Sequence, residues 1–309
     1  MPSTATHATS VTFDAKTPTS RGLRRWGPLP AFDNGPWLLV RESVAGWLDT
    51  VGAAARSAPY RAAPLGACCL FIGHPRSGHS VVGSVIDAHP DAVVPHRLDA
   101  VRYIARGYSP AMLAHLAVRA ARRYARSGSR MTAYAYPVAG GWQGRVRTLR
   151  VVGDQEGRMT ALRLAADPGR LDRFEARFGV PVRLVHVTRN PYDNITTWAQ
   201  RRFSTLERTA RDYFDLCRAV ATVLEHREGA GVLRVRHEAL LERPEEHITA
   251  LYRFLGLEVD EAQVRRCASI VYPAAHRTRH GAGWSADLIA RVADEMRAFP
   301  FLDGYGWET

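Results

Sequence analysis

Lysine is almost absent from this 309-residue sequence. Lys16 is the only one, although lysine and arginine together number 42 against 30 acidic residues. The formal charge of +12 is therefore carried by arginine, and it favours an anionic partner: a nucleic acid, a membrane surface or a small molecule rich in phosphate. Any anion site in the folded domain must then use arginine, histidine, hydroxyl groups and backbone N–H groups.

Cysteine and long apolar runs are also scarce. The four cysteines show no CxxC or zinc-ligand spacing, which predicts buried, reduced thiols. Cys68 and Cys69 are neighbours in an apolar run, so their side chains should point to opposite faces of a strand. Since no segment has the apolar length of a membrane span and the first 20 residues lack the apolar core of a secretory signal, we expect a cytoplasmic protein.

The overall balance, 46% hydrophobic and 23% charged residues, is typical of a globular protein. We predict a flexible tail over 1–25, a partly helical extension over 26–62 and one domain over 63–309. Apolar runs alternate with helical patterns in that domain, which predicts an α/β fold with a central, mostly parallel sheet flanked by helices. Strands are expected at 67–72, 92–94, 182–187 and 232–236 and twice within 131–153, and helices over 100–127 and from Pro191, Pro244 and Ser285.

A glycine-containing loop follows the first predicted strand and precedes a helix. It reads Gly-His-Pro-Arg-Ser-Gly-His-Ser over residues 73–80. Two glycines let successive N–H groups face one hollow, and the helix N-terminus adds partial positive charge. The spacing is that of the nucleotide P-loop GxxxxGK[ST], but His79 stands in the lysine position and Arg76 supplies the permanent charge. The loop predicts a phosphate or sulfate site, and the missing lysine argues against ATP or GTP hydrolysis.

A second anion site is predicted where the strand at 182–187 ends. Asn190 suits the N-cap of a helix and Pro191 its first position. Arg189 then lies at the carboxyl end of a strand, where ligands bind in open α/β sheets. An arginine there can bind a phosphate through two hydrogen bonds.

Together these two stretches resemble the PAPS-dependent sulfotransferases, bacterial members in particular. Residues 73–80 are similar to the 5′-phosphosulfate loop of that family, 82–90 to the segment after it, and Arg189 with Thr197 to its 3′-phosphate motif. The resemblance implies a P-loop-like fold and a sulfotransferase activity. The sulfuryl group of 3′-phosphoadenosine 5′-phosphosulfate (PAPS) would pass, without a metal, to a hydroxyl of a small acceptor such as a sugar, a lipid or a natural product.

The resemblance also implies roles for individual residues. The amides from Ser77 to Ser80 would hold the 5′-phosphate and sulfate, and Arg76 would stabilise the leaving oxygen. Residues 277–284 are similar to the family's C-terminal loop, which would contact the 3′-phosphate. The residues expected to bind PAPS are Arg76, Ser77, Gly78, His79, Ser80, Arg189, Thr197, Arg279, His280 and Gly281. Two departures are Val81, where many members have a tryptophan against the adenine, and His79, which replaces a threonine.

A general base is also expected, because the acceptor hydroxyl must lose a proton as it attacks. By the resemblance it lies after the strand at 92–94. His96 titrates near neutral pH and is the first candidate, ahead of Asp99 and then Glu156. Farther along, Arg119, Arg122, Arg126 and Arg130 recur at helical spacing, which is typical of a solvated helix face or of a basic stripe that meets an acidic acceptor or a nucleotide.

Two other functions stay open at this level. A P-loop kinase of a small metabolite would need ATP and magnesium, and Asp154 at a predicted strand end is similar to a magnesium-binding position. A non-enzymatic nucleic-acid binder would suit the charge, but the sequence has no aromatic–basic interleaving or reading motif. We expect PAPS and a small hydroxylated acceptor as partners, with neither nucleic acid nor metal. A lipid-like acceptor and a homodimer are compatible with the sequence.

Overall fold

The structure is a computed structural model that describes residues 51–127, 136–227 and 231–309. The predicted tail over 1–25 and most of the predicted extension over 26–62 lie outside the described residues. The described part of that extension is helical over 51–56 and continues into a 3-10 turn at Ala58–Tyr60.

Five strands form one parallel sheet, which confirms the predicted α/β fold. They are β1 (Ala67–Ile72), β2 (Ala92–Val93), β3 (Val151–Asp154), β4 (Val182–Thr188) and β5 (Val232–Arg236), in the order β2-β3-β1-β4-β5. The central strand β1 is buried along its whole length, as expected of an apolar run in a sheet covered on both faces.

Helices flank this sheet in the described part of the chain. They are α1 (His79–Asp87), α2 (Ala100–Ala105), α3 (Pro110–Ser127), α4 (Gly157–Ala166), α5 (Arg170–Phe178), α6 (Pro191–Arg202), α7 (Leu206–His226), α8 (His237–Glu242), α9 (Pro244–Phe254), α10 (Glu261–Ala268) and α11 (Ala286–Met296). Short 3-10 turns occur at Thr278–Gly281 and Pro300–Leu302. The helix starts predicted at Pro191 and Pro244 are confirmed, and Ser285 is the N-cap of α11.

One prediction about secondary structure was wrong. The single helix expected over 100–127 is divided into α2 and α3, because Gly107 has a φ of +81° and Pro110 has no N–H to donate to a preceding turn. Of the two strands expected within 131–153, the described residues contain β3, whereas residues 136–150 form no strand. Residues 131–135 lie outside the described residues.

The core lies on both faces of the sheet, and the two adjacent cysteines divide between them. Cys68 packs in the cluster that holds Leu70 and Ile72, whereas Cys69 packs with Phe71 on the other face, as the period of a strand predicts. All four cysteines are buried and unpaired. Burial raises the pKa of Cys68 to about 12, so this thiol stays protonated at neutral pH. None of the described helices is long and apolar enough to cross a membrane.

Candidate active site

The two predicted anion-binding stretches meet at the carboxyl edge of the sheet. Residues 73–80 follow β1 and Arg189 follows β4, and these strands are hydrogen-bonded neighbours with Ile72 opposite His186. Because parallel strands end at the same edge, the register brings the two stretches side by side.

The loop over 73–80 leaves the N-terminus of α1 without a side-chain cap. Its N-cap is Gly78, with a φ of +107°, and a Cβ there would lie 2.6 Å from Nδ1 of His237. The first N–H groups of a helix have no acceptor inside the helix, and glycine supplies none. An N-cap side chain accepts such a bond in α4, α6, α7, α10 and α11, and none does in α2, α5, α8 and α9. The amides of His79 and Ser80 are therefore suited to bind an anion.

Ser77 shapes the loop from inside. Its Oγ donates to the carbonyl oxygen of His74 at 2.9 Å, and its side chain is fully buried. Asn194 of α6 also holds the loop. In the amide orientation that satisfies both groups, the Asn194 NH₂ donates to the carbonyl oxygen of Pro75 at 3.0 Å, and the Asn194 side-chain oxygen accepts from the Ser77 N–H at 3.2 Å. Sequence reasoning missed Asn194, although it sits one turn after the predicted N-cap Asn190. It ties the loop over 73–80 to α6.

Arg189 and Thr197 lie together, as the resemblance implied. Nη1 of Arg189 lies 3.4 Å from Thr197 Oγ1 and 3.4 Å from the carbonyl oxygen of Arg76, and Nη2 donates to the carbonyl oxygen of His276 at 2.7 Å. Thr197 Oγ1 lies 3.2 Å from Thr278 Oγ1. Arg189 therefore contacts the loop over 73–80, α6 and the segment just before residues 277–284 at once.

Arg279 is buried and forms an ion pair with Asp193. Its side chain is 1% exposed, its Nη1 lies 2.6 Å from a carboxylate oxygen of Asp193, and its Nη2 donates to the carbonyl oxygen of Thr309. The backbone N–H of Arg279 also donates to Asp193, at 2.9 Å. These contacts anchor the turn at 278–281 to the start of α6. His280 and Gly281 are exposed on that turn, and the contact of these three residues with a 3′-phosphate stays a prediction.

His96 is held in one tautomer by Gln155. Gln155 Nε2 donates to the carbonyl oxygen of Val94 at 2.7 Å, which turns its Oε1 toward His96 Nδ1 at 3.3 Å. Nδ1 therefore carries the proton and Nε2 the lone pair. Nε2 is buried, without a hydrogen-bond partner among the described residues. Burial lowers the pKa of His96 below 6.5, and the Gln155 hydrogen bond opposes that shift. At neutral pH His96 is therefore a neutral base.

The side chain of Gln155 also packs against α1 at Gly83. A Cβ at Gly83 would lie 2.0 Å from its Cδ, so only glycine at that position allows the amide to reach Val94 and His96. Sequence reasoning missed Gln155. Its place directly after β3, at the carboxyl edge of the sheet, was the available signal.

The carboxylates considered as alternatives are engaged elsewhere. Both oxygens of Asp99 accept from Arg163, at 3.0 and 2.8 Å, which favours His96 over Asp99 as the base. Glu156 caps α4 by accepting from Met159 N–H at 3.3 Å. Asp154 is fully buried and accepts from three backbone N–H groups at 2.8, 2.8 and 3.2 Å. Within the described ranges, no group of three or more His, Cys, Asp or Glu side chains is placed to hold a metal ion.

The two histidines of the loop are uncharged at neutral pH. His74 stacks on Tyr213 with ring centroids 3.8 Å apart, and His79 packs edge-on against Phe71 at 5.5 Å. Burial lowers the pKa of His74 to about 4 and that of His79 to about 3. His79 therefore does not replace the charge of a P-loop lysine, and the permanent charge of the loop is that of Arg76.

The backbone near these side chains is unusual. Four described residues other than glycine have a positive φ. Arg76 (+71°) lies in the loop over 73–80, and Arg97 (+58°) and Asp99 (+58°) follow His96. Such conformations cost on the order of 1–3 kcal/mol each and concentrate at functional sites. Arg76 is half-buried, and its charge contributes to lowering the pKa of His96.

Sulfotransferases are among the solved structures that the chain resembles. The sulfotransferase domain of the Synechococcus PCC 7002 olefin synthase is 17% identical, with 77% of this chain and 96% of that chain covered and a TM-score of 0.43. STF9 from Mycobacterium avium is 12% identical, with 83% of each chain covered and a TM-score of 0.48. Mouse SULT7A1, complexed with PAP, is 12% identical, with 72% of this chain and 69% of that chain covered and a TM-score of 0.38. At these values the likeness carries no argument about activity. No family model and no curated protein matches the chain.

Replacing Asp193 by alanine tests the structural role of the buried ion pair. It would leave the Arg279 guanidinium buried without its partner, so we expect the free energy of unfolding to fall by about 3–5 kcal/mol. Urea denaturation measures this. Asp215→Ala is the matched control, because Asp215 pairs with Arg218 at an exposed site and its loss should cost at most about 1 kcal/mol. Equal, small losses in both variants would contradict the role given to Asp193.

Proposed function

We propose that the chain is a PAPS-dependent sulfotransferase that sulfates a hydroxyl of a small molecule. One observation carries the proposal: Nη1 of Arg189 lies 3.4 Å from Thr197 Oγ1 and 3.4 Å from the carbonyl oxygen of Arg76, in the loop that leads to the uncapped N-terminus of α1. Two adjoining anion sites suit a nucleotide that has a phosphate at its 3′ position and a phosphosulfate at its 5′ position. The motif resemblance assigns the loop to the 5′ end and Arg189 with Thr197 to the 3′ end.

The loop and its helix would act as fixed electrostatic groups. The amides of His79 and Ser80 and the partial charge of the α1 terminus stabilise a 5′-phosphosulfate, since they are oriented before the ligand arrives. Arg76 adds the full charge that the loop histidines lack. Arg189 binds the 3′-phosphate, and Thr197 adds a hydroxyl beside it.

His96 would accept the proton of the acceptor. The hydroxyl oxygen attacks sulfur in line, the bond between sulfur and the 5′-phosphate oxygen breaks, and its electron pair stays on the phosphate, where Arg76 stabilises it. The hydroxyl proton passes to Nε2 of His96. Gln155 is a positioning residue, because it keeps the other ring nitrogen protonated.

The same contacts weigh against the kinase alternative. The residue in the P-loop lysine position is a neutral histidine, and the carboxylate of Asp154 accepts three backbone N–H groups. His79 therefore cannot supply the positive charge of the P-loop lysine, and the carboxylate of Asp154 is not free to bind magnesium.

Binding of 3′-phosphoadenosine 5′-phosphate (PAP), the expected product, tests the proposal. We expect calorimetry without metal to detect PAP binding to the wild type, and Arg189→Ala to weaken it about 10- to 100-fold, since a charge-assisted contact to phosphate contributes about 1.5–3 kcal/mol. Arg211→Ala, an exposed arginine on α7, removes the same charge and should leave the affinity within about twofold.

Thermal unfolding of Arg189→Ala checks that the variant is folded. No binding of PAP to the wild type, with binding of ATP and magnesium instead, would overturn the proposal and favour a kinase.

The pH profile of sulfate transfer tests His96 and Gln155. With PAPS and whichever phenol of a test panel the wild type sulfates, we expect kcat/KM to rise with pH through an apparent pKa below 6.5 and then stay level, because the base is competent only when neutral. His96→Ala should lower kcat about 10²- to 10⁴-fold and leave PAP affinity unchanged.

Gln155→Leu should lower kcat and move the acid limb to lower pH, because the lost hydrogen bond favoured the protonated ring. An unchanged profile in both variants would remove His96 from the reaction.

A further inference from the structure

A cavity of about 380 Å³ opens beside His96. Ring and aliphatic side chains form its inner wall, among them His96, Tyr103, Tyr124 and Leu116, all half-buried, and the buried Tyr108. The rings of His96 and Tyr124 lie 5.9 Å apart at a tilt of 33°. The volume is within the range of small-molecule sites, and the wall suits a flat, apolar body.

Four exposed arginines also line this cavity. Arg56, Arg97, Arg119 and Arg123 line it and are exposed, and no aspartate or glutamate is among the lining residues. Within the described part of the chain, none of these four guanidinium groups forms an ion pair, whereas Arg147 and Arg163 do. Four positive charges that have no acidic partner among the described residues repel a cation and attract an anion.

The arginines of α3 lie on two different faces of the helix. Leu116, Arg119, Ala120, Arg123 and Tyr124 follow the spacing of one helix face, and all of them line the cavity. Arg122 and Arg126 are exposed and do not line it. The stripe predicted from the sequence is therefore divided: Arg119 faces the cavity, Arg122 and Arg126 are on the solvated side, and Arg130 lies outside the described residues.

We propose that this cavity binds the acceptor, and that the acceptor is a small hydroxylated molecule with an aromatic or apolar body and an anionic group. The acceptor role rests on the proposed function, because it requires His96 as the base. The body packs against the tyrosines, the hydroxyl lies beside the His96 ring, and a carboxylate, sulfate or phosphate group binds the arginines that line the cavity. Arg119 and Arg123 are specificity-determining residues that select anionic over neutral acceptors.

Calorimetry on the PAP-loaded protein tests this with 4-hydroxyphenylacetate and its neutral analogue 4-hydroxyphenylacetamide as probes. We expect the acid to bind about tenfold or more tightly than the amide at low salt. The difference should shrink as sodium chloride is added, since the arginines are exposed to solvent. The double variant Arg119→Ala/Arg123→Ala should weaken binding of the acid at least about fivefold and leave binding of the amide unchanged.

The double variant Arg122→Ala/Arg126→Ala is the matched control. It removes the same charge from the same helix at the same spacing, so it should leave the affinity for the acid within about twofold. Equal binding of acid and amide, or equal effects of the two double variants, would overturn the inference while PAP binding upheld the proposed function. Selective binding of the acid to a protein that does not bind PAP would instead overturn the acceptor role together with the sulfotransferase proposal.

Discussion

The parallel pairing of β1 with β4 is the constraint on which the candidate site depends. It places the loop over 73–80 next to the start of α6, and Asn194 and Arg189 then join the two by hydrogen bonds to Pro75, Ser77 and the carbonyl oxygen of Arg76. Neither stretch has this geometry by itself. Glu238, in the first turn of α8 directly after β5, adds a support, since its carboxylate accepts from the Asn190 N–H at 2.8 Å and from the Tyr305 hydroxyl at 2.8 Å.

Burial decides which charges remain available at this edge of the sheet. It keeps His74, His79 and His186 neutral, with pKa values of about 4, 3 and 3. Arg279 is compensated by Asp193 and Asp99 by Arg163. Arg76 and Arg189 contribute positive charge there, α1 begins without a side-chain cap on its first amides, and His96 is a neutral base. This pattern suits chemistry in which a dianionic leaving group develops charge while a hydroxyl loses a proton.

The elements that local sequence determines were predicted well. Apolar runs gave β1, β4 and β5, and the Asn190–Pro191 pair gave the start of α6, because strand burial and helix capping depend on residues close in the chain. Irregular backbone was not predictable in the same way: apolar residues in 136–150 looked like strand, yet that segment forms no ladder with the sheet. The break at Gly107 and Pro110 had a local signal that the helical periodicity concealed.

The site was predicted less completely than the fold, because its side chains depend on contacts between distant residues. Arg279 pairs with a residue 86 positions away, and His96 is oriented by one 59 positions away. No spacing in the sequence reveals Gln155 as the partner of His96, or Asn194 as the link between two motifs. The spacing of the α3 arginines predicted a single stripe, whereas in the structure Arg119 lines the cavity and Arg122 and Arg126 do not.

A crystal structure of the chain with PAP tests the central claim most directly. The account predicts the 5′-phosphate within hydrogen-bond distance of the amides of His79 and Ser80, and the 3′-phosphate at Arg189 and Thr197, with His96 facing the space beyond the 5′ end. PAP bound elsewhere, or bound with its two ends exchanged, would contradict the account.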